Sequence, residues 1–146
     1  MLTCTPFLLF DGNCAEAMTF YHRCLRGDLT LTKLADTPMK AQFPLEKHGR
    51  IIHAHLASDG IKISATDWMA SPDYNPKPGN TMSIFVIGGA YEELKAVFDK
   101  LAEGADRNHF QELHDMPFGT YGQFTDKFGV PWIFKGDPRS VNPAKS

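Results

Sequence analysis

The sequence predicts an α+β fold of two tandem βαβββ modules, and three observations predict it. Short apolar or alternating runs, which read as strands, surround two stretches with helical spacing. The order strand, helix, strand, strand, strand occurs twice. The residues also repeat at a near-constant offset: a shift of 77 places Phe7 on Ile84, Phe10 on Ile87, Gly12 on Gly89, Phe20 on Val97, Tyr21 on Phe98 and Gly27 on Gly104. Toward the module ends the shift becomes 69, with Gly60 on Gly129 and Ile61 on Val130, and the difference of 8 is a longer middle in the first copy. Neither copy buries its sheet face alone, so the two are expected to pack as one domain over 1–146, with modules of about 1–75 and 76–146.

Each element follows from local chemistry. Pro6 to Phe10 is an apolar run ending at Asp11-Gly12 and reads as a buried strand. Asn13 is placed as an N-cap with Glu16 as its capping-box partner. Cys14, Ala17, Met18, Tyr21 and Leu25 then follow at helical spacing, and Gly27 closes the helix. Leu29 to Leu34 alternates like a strand, and Thr37 to Arg50, with Pro38, Pro44 and Gly49, reads as a loop. Ile51 to Leu56 and Ile61 to Ala65 are strands joined by Ser58-Asp59-Gly60, a hairpin signal. Ser71 to Asn80, rich in proline, is the linker.

The second copy opens with a strand over Met82 to Ile87 and a turn at Gly88-Gly89. A helix over Tyr91 to Leu101 follows, with Leu94, Val97, Phe98 and Leu101 on one face, closed by Gly104. Phe110 to Leu113 is a weak strand. The chain is organised around its closing hairpin, Phe124 to Phe134, whose centre is Asp126-Lys127-Phe128-Gly129. Asp126 is expected to fix that turn through an Asx hydrogen bond, and Gly129 to take a backbone angle closed to side chains. Pro131 cannot donate to a ladder, so the last strand should lie at an edge or start irregularly there.

Composition excludes several classes. With 42% hydrophobic and 22% charged residues and a net charge of -2, the chain has ordinary globular values and no basic stripe for nucleic acid. No apolar segment approaches a membrane span, and the start lacks the basic and apolar regions of a signal peptide. Cys4, Cys14 and Cys24 are odd in number and confined to the first 24 residues, which argues for free thiols and a cytoplasmic location. Cys14 falls in the first turn of a helix, where the dipole favours a thiolate; the other reading is a small buried apolar side chain.

Several stretches carry a family resemblance. Phe10-Asp11-Gly12-Asn13-Cys14-Ala15-Glu16-Ala17 with Phe20-Tyr21 opens it, and Thr125-Asp126-Lys127-Phe128-Gly129-Val130-Pro131-Trp132 closes it. Ile52-His53-Ala54-His55-Leu56 and Ile63-Ser64-Ala65-Thr66-Asp67 resemble its middle strands. On these motifs the chain resembles the vicinal oxygen chelate superfamily of glyoxalase, bleomycin-resistance and extradiol dioxygenase proteins. It resembles most closely the PhnB-like branch labelled as a 3-demethylubiquinone methyltransferase domain. The resemblance implies curled mixed sheets that enclose a cavity, and a homodimer in which modules of two chains complete the cavities. Methyl transfer sits poorly with the element order, which leaves no room for a parallel sheet covered by helices on both faces. Gly88-Gly89 lacks the further spaced glycine of a nucleotide-binding turn.

In metal-using relatives, His and Glu on the first and last strands of each module hold a divalent ion. Carried over, those positions fall near Phe7 or Leu8, Ile63 or Ser64, Met82 or Ser83, and Ile133. None is His, Glu or Asp, so the resemblance implies no metal at the usual positions. Weak metal candidates elsewhere are His53, His55 and Asp67. His53 and His55 lie two apart on a strand and share a sheet face. Lining a cavity, they would bind a metal or act as general acid and base near neutral pH; on a helix-covered or solvent face they would be inert.

Phe7, Asp67, Trp68, Phe85 and Trp132 are the candidate ligand-binding residues, offering aromatic surface and one charge. Asp67 and Trp132 have structural readings as well, a loop cap and a core side chain. No nucleophile elbow supports a Ser-His-Asp site. Three functions stay open: a metal-free binder of a small, partly apolar molecule, a metal-dependent lyase, isomerase or dioxygenase with relocated ligands, and an orphan structural dimer. No cofactor is expected under the first and a divalent metal ion under the second.

Overall fold

A computed structural model describes residues 1–69 and 72–139. Ser71 of the expected linker and residues 140–146 at the end of module two lie outside the described residues. The chain divides into two compact units, Met1–Lys77 and Pro78–Ser146, two residues from the expected boundary.

Unit 1 contains β1 (Phe7–Phe10), α1 (Cys14–Leu25), β2 (Asp28–Lys33), β3 (Ile51–Ser58) and β4 (Ile61–Asp67). Its sheet has the order β1-β4-β3-β2, with β1 parallel to β4 and the other pairs antiparallel. Unit 2 repeats this with β5 (Ile84–Ile87), α2 (Tyr91–Leu101), β6 (Phe110–Met116), β7 (Gly119–Thr125) and β8 (Pro131–Gly136), in the order β5-β8-β7-β6. These are the two βαβββ modules. Each sheet is open, with β1 and β2, or β5 and β6, at its edges. The strong curling that the resemblance implied is not a feature of either sheet.

The helical spacing buries one stripe of each helix on its sheet. Cys14, Ala17, Met18, Phe20, Tyr21, Cys24 and Leu25 of α1 are buried, as are Phe10, Ala54, Leu56, Ile63 and Ala65 of the strands. In α2 the buried residues are Leu94, Phe98 and Leu101. Phe98 sets its ring edge-on to Phe124 and Phe134, both with centroids 5.0 Å away, which suits the quadrupoles of the three rings.

The start of α1 is built differently from the expected capping box. Asn13 makes no side-chain cap bond. The carboxylate of Asp67, at the end of β4, does the work from across the sequence. Its Oδ1 accepts from Gly12 N–H at 2.8 Å and Cys14 N–H at 2.9 Å, and Oδ2 accepts from Ile51 N–H at 2.9 Å. Arg50 adds a latch, its guanidinium donating to Asp11 Oδ1 at 2.8 Å and to the Trp68 carbonyl at 2.9 Å. The Asp11-Gly12-Asn13-Cys14 motif is thus the seat of a buried carboxylate that ties β1, α1, β3 and β4 together.

The closing hairpin follows its expected chemistry. Asp126 Oδ1 accepts from Phe128 N–H at 2.8 Å and Val130 N–H at 3.0 Å, and Gly129 takes φ +86°. Of the two alternatives for the last strand, the edge is set aside: β8 is interior, between β5 and β7. Pro131 is tolerated because it is the first residue of β8, one position before β5 begins to pair at Trp132.

Other boundaries shift as well. The loop before β3 holds three short 3-10 helices, over Leu34–Asp36, Pro38–Gln42 and Leu45–Lys47. The second module's first strand starts at Ile84, not Met82. The weak strand is longer than expected and pairs through a further hairpin, with Met116 opposite Gly119.

Candidate functional site

Because successive side chains alternate across a sheet, the faces away from α1 and α2 are defined by register. In unit 1, Phe7 pairs with Ser64, Ser64 with His55 and His55 with Thr30, a row across all four strands. One step along lie Leu9 opposite Thr66 and Thr32 opposite His53. In unit 2 the corresponding row is Phe85, Ile133, Gln123 and Gln111, and beside it lie Ile87 with Lys135 and His114 with Tyr121.

The register corrects the repeat by one residue. Phe7 pairs with Ser64 and Phe85 with Ile133, so Phe7 corresponds to Phe85 at a shift of 78, not to Ile84 at 77. The helices keep 77: buried Ala17, Tyr21 and Cys24 match buried Leu94, Phe98 and Leu101. A slip of one residue exchanges sheet faces, so the correction matters for the site. It places the two phenylalanine candidates at equivalent positions, both half-exposed and away from the helices, at 53% and 51%.

The same register tests the positions where relatives carry metal ligands. Of those the resemblance implied, Phe7, Ser64 and Ile133 lie on the faces away from the helices, while Met82 and Ser83 precede β5. Two of the three are hydrocarbon and the third is a hydroxyl, a set that does not fit a divalent cation.

His53 and His55 do lie on the face away from α1, so the helix-covered alternative is set aside. Their rings are nearly parallel, at 13°, with centroids 6.5 Å apart. In this arrangement the two rings lie side by side and do not converge on one point. His55 Nδ1 is also hydrogen-bonded to Ser64 Oγ at 3.0 Å. Asp67 cannot join them. It shares the helix face of β4 with Ile63 and Ala65, while Ser64 is on the other side. Among the described residues no group of three or more His, Cys, Asp or Glu gathers in reach of one ion.

Two further candidates are corrected by burial. Asp67 is 1% exposed with its carboxylate filled by backbone N–H groups, so it caps a loop and does not offer a charge to a cavity mouth. Trp132 is fully buried on the α2 side and its Nε1–H donates to Asp126 Oδ2 at 2.9 Å, which is the core alternative. Trp68 follows β4, half-buried, its N–H donating to the Phe10 carbonyl at 2.6 Å. Cys14 is buried, and burial first, then the Asp67 carboxylate, pushes its thiol from 9.0 up to about 12. The thiolate reading fails and the apolar one holds. The residues that sequence reasoning passed over are Thr30, Gln111, Tyr121 and Gln123, polar side chains on the faces away from the helices. Their signal was strand alternation, which needs the strand bounds first.

Known proteins share this arrangement. The model of the family described as 3-demethylubiquinone-9 3-methyltransferase matches residues 3–134. The chain belongs to this family. Protein YjdN of Escherichia coli (strain K12) is 33% identical over 138 residues, 88% of this chain and 91% of YjdN. The crystal structure of protein PA1353 from Pseudomonas aeruginosa is 30% identical, with a TM-score of 0.79 over 94% of this chain and 99% of that one. The PhnB protein from Bacillus cereus, 26% identical, has a TM-score of 0.68 over 92% and 99%. A glyoxylase/bleomycin resistance protein/dioxygenase domain from Frankia sp. EAN1pec shares the fold at 14% identity, with a TM-score of 0.63 over 94% and 98%. The chain is thus a PhnB-like member of the 3-demethylubiquinone-9 3-methyltransferase family with the glyoxalase and bleomycin-resistance fold. No described helix is long and apolar enough to cross a membrane.

Proposed function

We propose that this protein binds a small, partly apolar molecule on the sheet faces away from α1 and α2, without a metal at the positions its relatives use. The observation that carries this reading is the register row of each unit. Among the positions the resemblance implied for metal ligands, this chain places Phe7, Ser64 and Ile133 on these faces, and the register adds Phe85 as the counterpart of Phe7. Aromatic and aliphatic surface beside hydroxyls, imidazoles and amides is what a small amphiphilic ligand needs, with apolar area for affinity and a few polar groups for orientation. Methyl transfer is not favoured, because both sheets are four-stranded and mixed, each with one helix, where a nucleotide-type cofactor site uses a parallel sheet flanked on both faces.

The protein acts as a homodimer in this reading. Phe7, Leu9, Phe85 and Ile87 leave 43–63% of their surface exposed on the edge strands β1 and β5, apolar area that a second copy would remove from water. A cytoplasmic location fits three free thiols.

The test is thermal-shift screening of aromatic and antibiotic-like compounds against the wild type, Phe7→Ala and Phe85→Ala. At least one compound is expected to stabilise the wild type with a saturable dose dependence, and each variant to weaken it. No stabilising compound, or compounds indifferent to both variants, would overturn the reading.

A further inference from the structure

Unit 2 contains a groove of about 940 Å³, lined entirely by its own residues, at the end of its sheet face away from α2. Its polar wall holds the amides of Gln123 and Gln111, which pair in register, and of Asn80 and Asn108, the hydroxyls of Ser83 and Thr125, and the His109 imidazole. Its apolar ledge is Pro131 and Ile133. The corresponding row of unit 1 carries imidazole where unit 2 carries amide: His55 pairs with Ser64 as Gln123 pairs with Ile133. The groove contains no lysine or arginine, and its one carboxylate, Asp106, accepts from Asn108 N–H at 2.9 Å.

One of these amides is oriented. The Tyr121 hydroxyl donates to Gln123 Oε1 at 3.0 Å. That bond occupies the amide's acceptor end and leaves its NH₂ group to donate. Gln111 and Ser83 make no side-chain hydrogen bond among the described residues, so their donors are available too. Donors over an apolar ledge, with no lysine or arginine among the lining residues and the Asp106 carboxylate beside them, favour a neutral acceptor.

We propose that this groove binds neutral carbonyl compounds carrying a flat ring, the carbonyl oxygen accepting from the Gln123 amide and the ring lying on Pro131 and Ile133. The assignment rests on the small-molecule reading above and names its ligand class. Tyr121 is a positioning residue in this site, acting through Gln123.

The experiment uses three ring compounds of similar size as probes: benzamide (neutral, with a carbonyl), benzoate (the anion of the same shape) and toluene (no polar head). Each is titrated into isotope-labelled full-length protein while backbone and glutamine side-chain amide signals are followed. Benzamide is expected to shift Gln123, Gln111 and Ser83 saturably, and at least about tenfold more tightly than benzoate or toluene, the discrimination of one well-placed hydrogen bond. Gln123→Leu should weaken benzamide by about tenfold, and Tyr121→Phe by about threefold while keeping the amide, because it removes only the orienting bond. Equal binding of benzoate or toluene, no effect of Gln123→Leu, or no saturable benzamide shift would overturn the groove assignment. Shifts confined to the His53–His55 face would overturn it and leave small-molecule binding intact. A compound that stabilises the protein in thermal-shift screening while benzamide leaves these signals unmoved overturns the groove alone; absence of any stabilising compound overturns the reading beneath it.

Discussion

Two buried aspartates carry more of this structure than their number implies. Asp67 and Asp126 are 1% and 3% exposed, and each carboxylate accepts three hydrogen bonds from buried or part-buried groups. Removing such an acceptor costs the bonds and leaves donors stranded, so Asp67→Ala should destabilise by roughly 3 kcal/mol or more in urea denaturation. Asp126→Ala should cost a similar amount, with a change in tryptophan emission because Trp132 loses its partner. A Cys14 thiol held in the same seat has a pH signature. Burial raises its folded value to about 12 from 9.0, so above about pH 9 the unfolded chain releases a proton that the folded chain keeps. Stability from this thiol is complete below pH 9 and is lost as pH rises toward 12. Denaturation midpoints measured across that window should fall less steeply in Cys14→Ala than in the wild type. Native protein should label at Cys4 alone with a thiol reagent, and at all three cysteines in guanidinium.

At the scale of elements, the turns decide which strands meet. Gly27 takes φ +88° between α1 and β2, and a Cβ built there would run into the Ala57 carbonyl of β3. Gly60, in the β3–β4 turn, has nothing within 4 Å of such a Cβ and no positive φ. Gly27→Ala should therefore lose roughly 2 kcal/mol or more, while Gly60→Ala stays within about 0.5 kcal/mol, both read by denaturant midpoints. The order and kind of the elements were legible in the sequence, since helical spacing and the Asp-x-x-Gly turn are local signals. Two things were not. The helix cap comes from Asp67, more than fifty residues away, and no local pattern points to it. The β6–β7 hairpin was obscured because Gly119-Thr120-Tyr121-Gly122-Gln123 lacks apolar alternation and β6 carries an irregularity between Gln111 and His114.

For the whole molecule, the repeat gave the fold, and the site needed the register. An offset of 77 holds in the helices, but the first strands β1 and β5 follow 78, and that one residue separates a face turned toward α2 from the face turned away. Hence Phe7 and Phe85 were legible as candidates, and the amide row of unit 2 was not. Asp67 and Trp132 each had a site reading beside a structural one because type and spacing alone do not say which side of a strand is packed. Dimer formation belongs at this scale too: light scattering after gel filtration should give twice the chain mass, and Phe7→Lys with Phe85→Lys should shift it toward the monomer. The most direct test of metal-free binding is elemental analysis of the purified protein, loaded separately with zinc, nickel, manganese and iron(II) and then dialysed. Substoichiometric metal after every loading, unchanged in His53→Ala with His55→Ala, is the predicted result. A near-stoichiometric ion that disappears in that double variant would contradict it and make the protein a metal-dependent member of its superfamily.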